Sequence, residues 1–130
     1  MKIYGLVGSS GTGKSYKASN LANELGIMYI IDDGLFIKGS KVIAGTSAKR
    51  EATMIAAVRR ALFMDQEHAY RVNEAIDKTN PDAILILGTS DNMINRIVDN
   101  LQLPTVTEII RIEDISTEEE IQIARTTRKE

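Results

Sequence analysis

The chain has no cysteine and no tryptophan, and only two phenylalanines, four tyrosines and two prolines. Without thiols there is neither a disulfide framework nor a thiolate metal site. So few rings leave little for nucleobases to stack on, and sixteen basic against eighteen acidic residues, a net charge of −2, supply no global positive field. Nucleic acid is therefore not an expected partner. No apolar run is long enough for a membrane span, and the start Met1-Lys2-Ile3-Tyr4 has no signal core. These absences lead to the expectation of a cytoplasmic protein without a membrane partner. With 130 residues, one domain over 1–130 can bury roughly two thirds of its unfolded surface. A final helix rich in charge, with no closing glycine, leaves open that the chain is a piece of a longer one.

What the chain does have is the unbroken stretch Gly8-Ser9-Ser10-Gly11-Thr12-Gly13-Lys14-Ser15, a G-x-x-x-x-G-K-S. It follows the apolar run Ile3-Tyr4-Gly5-Leu6-Val7 and opens a helical pattern that includes Tyr16, the context in which such a loop binds phosphate. The glycines let successive backbone N–H groups converge on one point, toward which the positive end of the next helix is also directed. Lys14 adds a point charge for the β and γ phosphates. Ser15, on the first helical turn, can offer its hydroxyl to a magnesium ion bridging the same phosphates.

Through these residues the chain resembles the P-loop (Walker A) nucleoside triphosphatases, the fold family of many kinases and ATPases. The resemblance is close over roughly the first quarter of the chain, and elsewhere rests on the order of strands and helices. It implies ATP or another nucleoside triphosphate as ligand and Mg²⁺ as cofactor. The implied nucleotide-binding residues are Gly8, Ser9, Ser10, Gly11, Thr12, Gly13, Lys14, Ser15 and Tyr16.

The remaining pattern alternates strands and helices. A helix is expected over Lys14 to Leu25, with Ala18, Leu21, Ala22 and Leu25 inward and Gly26 as its stop. Ile27 to Ile31 reads as a strand buried on both faces. Leu35 to Ala44, two apolar runs around Gly39-Ser40, reads as a β-hairpin, either an extension of the sheet or a flap with a binding edge. From Ser47 to Asn80 the chain is helical, with Ile55, Val58 and Leu62 on one face, Ala69, Val72 and Ile76 on another, and Asp65 capping the second half. Ala83 to Gly88 is a third buried strand, and Ile94, Ile97, Val98 and Leu101 mark the next helix. Glu108 to Ile112 reads as a strand nearer an edge, and Ser116 to Glu120 as the capping box of a last helix. The fold expected is α/β: a P-loop-like α/β/α arrangement of three layers, with a mainly parallel sheet of about four strands and an inserted hairpin.

Beyond the loop the acids matter most. Asp32-Asp33 closes a strand at the carboxyl edge, where open α/β sheets hold ligands. In P-loop small-molecule kinases such as the shikimate kinases an aspartate after the second strand serves the magnesium or the acceptor hydroxyl, and Tyr29-Ile30-Ile31-Asp32-Asp33-Gly34 is similar. Lys14, Asp32 and Asp33 are thus the candidate catalytic residues, and Ser15 and Asp32 the candidate metal ligands. Neighbouring carboxylates in extended chain point apart, so one of the pair should face the phosphates and the other hold the turn. Where the family places a Walker B aspartate, at the end of the strand beside the loop strand, Gly88-Thr89-Ser90 stands instead, a departure that argues for slow hydrolysis. Asp91 is the fallback acid. Arg50 is a candidate cation, Gly45-Thr46-Ser47 offers N–H groups to an anion, and His68 reads as a surface residue. The reading is a Mg-ATP-binding protein, either a slow ATPase or a small-molecule phosphotransferase. Its alternative is a nucleotide-dependent regulatory module with little or no catalysis. A small-molecule acceptor, a protein partner and a homo-oligomer all stay open.

Overall fold

The computed structural model describes residues 1–9 and 13–115. Six strands form one mixed sheet in the order β4-β3-β2-β5-β1-β6. They are β1 (Lys2–Val7), β2 (Tyr29–Asp32), β3 (Leu35–Lys38), β4 (Lys41–Gly45), β5 (Ala83–Gly88) and β6 (Glu108–Arg111). Strand β1 lies between β5 and β6 and runs parallel to both, and β2 is parallel to β5 on its other side. The hairpin is part of this sheet. Its β3 pairs antiparallel with β2 and its β4 with β3, around the two-residue turn at Gly39-Ser40. The sheet therefore has two strands more than the four parallel ones. Fully buried Phe36 on β3 stacks on Tyr29 of β2, ring centroids 5.3 Å apart, so the hairpin contributes to the core as well as to the edge.

Helices cover both faces. They are α1 (Lys14–Leu25), α2 (Met54–Ala61), α3 (Gln66–Thr79), α4 (Asp91–Asn100) and a short α5 (Ile112–Ile115), with a 3-10 turn at Ala48–Arg50. On one face Ala18, Leu21 and Ala22 of α1 meet Leu6, Leu85 and Leu87, with Ile112 of α5 beside them. On the other, Val72 and Ile76 of α3 and Ile94, Ile97 and Val98 of α4 meet Ile3, Val7, Ile84 and Ile86. This division follows from handedness: the β1-to-β2 crossover runs one way along the sheet, while β2-to-β5 and β5-to-β6 run the other, so right-handed connections land on opposite faces. Strand β6 is held at its entry by Ile3, whose N–H donates to Thr107 Oγ1 at 3.3 Å and whose carbonyl accepts from the Thr107 N–H at 2.7 Å.

Local signals set the element ends. Gly26 closes α1, the Asp65 carboxylate accepts from the N–H groups of Glu67 and His68 to open α3, and Ser90 Oγ accepts from the Met93 N–H to open α4. Other expectations need correction. Leu25 and Met28 are exposed, and β2 starts at Tyr29, because the chain enters the sheet only after Ile27 has turned into the α1 cluster. Of Ile55, Val58 and Leu62 only Leu62 is buried, since α2 lays its alanine side toward the protein. A helix begins directly at Ile112, where a strand residue was expected. The last helix expected from Ser116 lies outside the described residues.

Because Phe36 fills the core under the hairpin, Phe36→Ala should lower the unfolding free energy by about 3–5 kcal/mol. Val42→Ala on the exposed edge strand should change it by no more than about 0.5 kcal/mol. Denaturant titration of both variants checks whether the hairpin is part of the cooperative unit.

Candidate functional site

Strands β1 and β5 are adjacent, and the chain leaves them toward opposite faces, β1 into α1 and β5 into α4. Such a divergence opens a crevice at the carboxyl edge of a sheet. The loop after β1 starts there, anchored by the Gly8 N–H, which donates to the Gly88 carbonyl at 3.2 Å. Gly13 occupies the N-cap of α1 in the left-handed region (φ 83°) and, as glycine, brings no capping side chain of its own. Lys14 is half-buried and its ammonium donates to the Ser9 carbonyl at 3.2 Å. Ser10, Gly11 and Thr12 lie outside the described residues. Tyr16 is 77% exposed, with the Lys17 ammonium 6.0 Å from its ring centroid, so its ring stands out from the crevice floor.

Ser15 and Asp32 meet. The Ser15 hydroxyl donates to the Asp32 carboxylate at 2.9 Å, joining the first turn of α1 to the end of β2. Burial is the main influence on this carboxyl and raises its pKa above the ordinary Asp value; the Ser15 hydrogen bond pulls the other way, neighbouring Asp33 raises it further, and Lys49 and Lys14 lower it. Ionised Asp32 is thus a partly desolvated anion beside a hydroxyl and within the field of two lysines. Lys49 was not singled out from the sequence, which pointed to Arg50; a position on an irregular 3-10 turn gives no periodicity from which to read its direction.

Asp33 turns elsewhere. Its carboxylate accepts from the Ser47 hydroxyl at 2.5 Å and its carbonyl from the Ala48 N–H at 2.9 Å, while its backbone takes a left-handed φ of 55°. Behind it two backbones cross so closely that a Cβ on Gly34 would lie 2.4 Å from the Thr46 carbonyl oxygen, and one on Gly45 2.3 Å from that of Gly34. Only glycine fits at either position. Of the N–H groups of Gly45-Thr46-Ser47 expected to be open to an anion, that of Thr46 points to His68, and the next two along the chain are also in use, that of Ala48 on the Asp33 carbonyl and that of Lys49 on Ser47 Oγ.

His68 is buried, contrary to the surface position expected. It is fully enclosed and stacks on Phe63, centroids 4.7 Å apart. Its Nε2 lies 3.1 Å from the Thr46 nitrogen and 2.9 Å from the Gly34 oxygen, so the neutral tautomer chooses between accepting from the one and donating to the other. Its Nδ1 has no hydrogen-bond partner among the described residues. Desolvation dominates and holds the imidazole pKa below its ordinary value; the Gly34 carbonyl opposes this, Arg60 and Arg71 reinforce it, and Asp65 opposes it.

At the end of β5, Gly88 pairs with Val7, and a Cβ there would lie 2.9 Å from Ile94 Cδ1. A side chain at this strand end would have to displace the tip of Ile94 on α4. Asp91 is engaged by Arg111 of β6 in a two-pronged ion pair, 3.0 and 2.9 Å, spanning the end of β1 between them. Arg50 is exposed. Among the described residues no three His, Cys, Asp or Glu side chains converge as a metal cage, which leaves Ser15 and Asp32 as the oxygen pair facing the loop. Comparison with protein-family models, curated proteins and solved structures gives no match for this chain.

Two pH effects follow. The folded state resists protonating His68, so below the ordinary imidazole value the unfolded chain binds more protons and stability is lost as pH falls. Thermal melts from about pH 7 to about pH 5 should show this decline, flattened in His68→Gln relative to wild type. Asp32 has the opposite sign: its raised pKa means the folded state binds more protons just above the ordinary carboxyl value, and stability falls as pH rises through that window. Asp32→Asn keeps an acceptor for Ser15 and removes the ionisation, so without metal at neutral pH it should melt above wild type.

Proposed function

We propose that the chain binds a magnesium nucleoside triphosphate, with ATP as the first candidate, on the loop between β1 and α1. Its reaction is slow hydrolysis or phosphoryl transfer to a small molecule. The observation that carries this reading is the 2.9 Å contact between Ser15 and Asp32, which brings the last residue of the G-x-x-x-x-G-K-S stretch onto a carboxylate from another strand at the same sheet edge. On this reading the fold is the P-loop kind of α/β/α layering, its four parallel strands being β2, β5, β1 and β6.

The donor chemistry fits the cation. A serine hydroxyl and a carboxylate are hard oxygen donors, and Mg²⁺ takes one or two such groups and fills its shell with water and phosphate oxygens. A dication beside Asp32 would also offset the desolvation that holds back its ionisation. When bound, the metal neutralises charge on the phosphates. Lys14 would then supply a second positive charge to the β and γ phosphates. Asp32 orients the Ser15 hydroxyl. Asp33 holds the turn, its carboxylate being committed to Ser47, so the pair divides its work.

Two observations favour the alternative, a regulatory module that binds nucleotide and turns it over little. No acid stands at the end of β5, and the Asp33 turn is bonded directly to Ser47 and Ala48, the start of the segment that leads into exposed α2. Nucleotide at the loop would be felt by that segment.

Calorimetric titration with ATP tests the reading. Lys14→Ala should lose about one to two decades of affinity, the value of a charge-assisted contact. Asp32→Ala should lose about 10- to 100-fold with magnesium and little without it. Asp33→Ala should keep the wild-type magnesium dependence and melt lower. Equal affinity in wild type and Lys14→Ala, or no heat in either, rejects nucleotide binding at this loop.

A further inference from the structure

Helix α2 turns its larger apolar side chains outward. Met54, Ile55 and Val58 are 83, 76 and 52% exposed, and no residue of the helix is buried. At about 100° per residue these three occupy one side of the cylinder with Arg59 next to Ile55, while Ala56, Ala57, Arg60 and Ala61 form the half-buried side. The helix is well built at its start, where the Thr53 hydroxyl accepts from the Ala56 N–H. On its inner side Arg60 donates to Glu51 at 2.9 Å and lies 3.7 Å from Asp65.

That inner ion pair decides the charge of the outer rim. Glu51 and Asp65 are taken by Arg60, and Asp65 also caps α3. Arg50 and Arg59 are exposed and make no ion pair among the described residues, and Arg50 stands at the end of the 3-10 turn that packs beside α2. An apolar stripe thus has two arginines near it, Arg50 and Arg59, that no carboxylate among the described residues pairs with.

We propose that this face docks an acidic amphipathic helix from another protein, its apolar residues covering Met54, Ile55 and Val58 and its carboxylates meeting Arg50 and Arg59. Charge selects this occupant. A second copy of the chain, paired about a two-fold axis, would set the same cations against each other. A lipid surface would meet a helix only about 12 Å long with three apolar side chains, on a chain of net charge −2. The inference stands independently of nucleotide at the loop.

The test uses the full chain and two fluorescein-labelled helical peptides of equal length, one of leucine and glutamate, the other with lysine in place of glutamate. Fluorescence anisotropy should show binding of the acidic peptide only, weakening as salt shortens the Debye length below about 10 Å. The Ile55→Ser, Val58→Ser double variant, changed only at exposed positions, should lose at least about ten-fold in affinity. Arg59→Glu should shift preference toward the lysine peptide. Binding that is equal for the two peptides, unchanged in the double variant, or absent altogether overturns the proposal. So does binding to phosphatidylglycerol vesicles, or self-association in sedimentation, that depends on Ile55 and Val58 while the acidic peptide does not bind.

Discussion

The parallel pairing of β1 with β5, complete from Lys2 opposite Ala83 to Val7 opposite Gly88, is the contact on which the remaining architecture depends. Parallel neighbours cannot be joined by a tight turn, so each must be reached by a crossover, and the two crossovers leave the carboxyl edge in opposite directions. The crevice between them is a product of connectivity alone. Its composition is set by packing: Ile94 presses so close to Gly5 and Gly88 that both strands need small residues beneath α4. Strand β5 ends in Gly88 without an acid, and the carboxylate that meets Ser15 comes from β2, one strand further out.

That carboxylate sits at a thermodynamic disadvantage. Asp32 is desolvated and has Asp33 beside it, and a neutral amide in its place would suit the folded chain better. The turn that carries it is correspondingly over-determined, by Ser47 and Ala48 on Asp33, by His68 between Thr46 and Gly34, and by two glycines where backbones touch.

Features encoded within a few neighbouring residues were legible in the sequence. The extent of α1, the cap at Asp65, the hairpin turn at Gly39-Ser40 and the placing of Asp32 at a strand end each depend on such local signals. What was not legible depends on contacts between distant residues. His68 is buried because its partners Thr46 and Gly34 lie 22 and 34 residues away, a relation no periodicity records. Asp91 is engaged because Arg111 arrives on β6, 20 residues later. The repeat of Ile55 and Val58 marked an apolar side of a helix correctly, but periodicity says only that a face exists, not what lies against it.

The bracket between Ile3 and Thr107 closes a loop of 104 residues, and it has a consequence for synthesis. Strand β1 is made before either of its neighbours, and these arrive only after about 80 and 100 further residues have been added. At about 5–20 residues per second, that is a wait of roughly 5–20 seconds, during which an apolar strand has neither ladder partner. Closing so long a loop costs little more entropy than closing one half its length, but it cannot begin earlier. Strand β2 and the hairpin, with nearby partners in sequence, can pair first and wait as a preformed half-sheet. The hairpin half of the sheet can thus form before β1 finds a partner, although β1 precedes it in the chain.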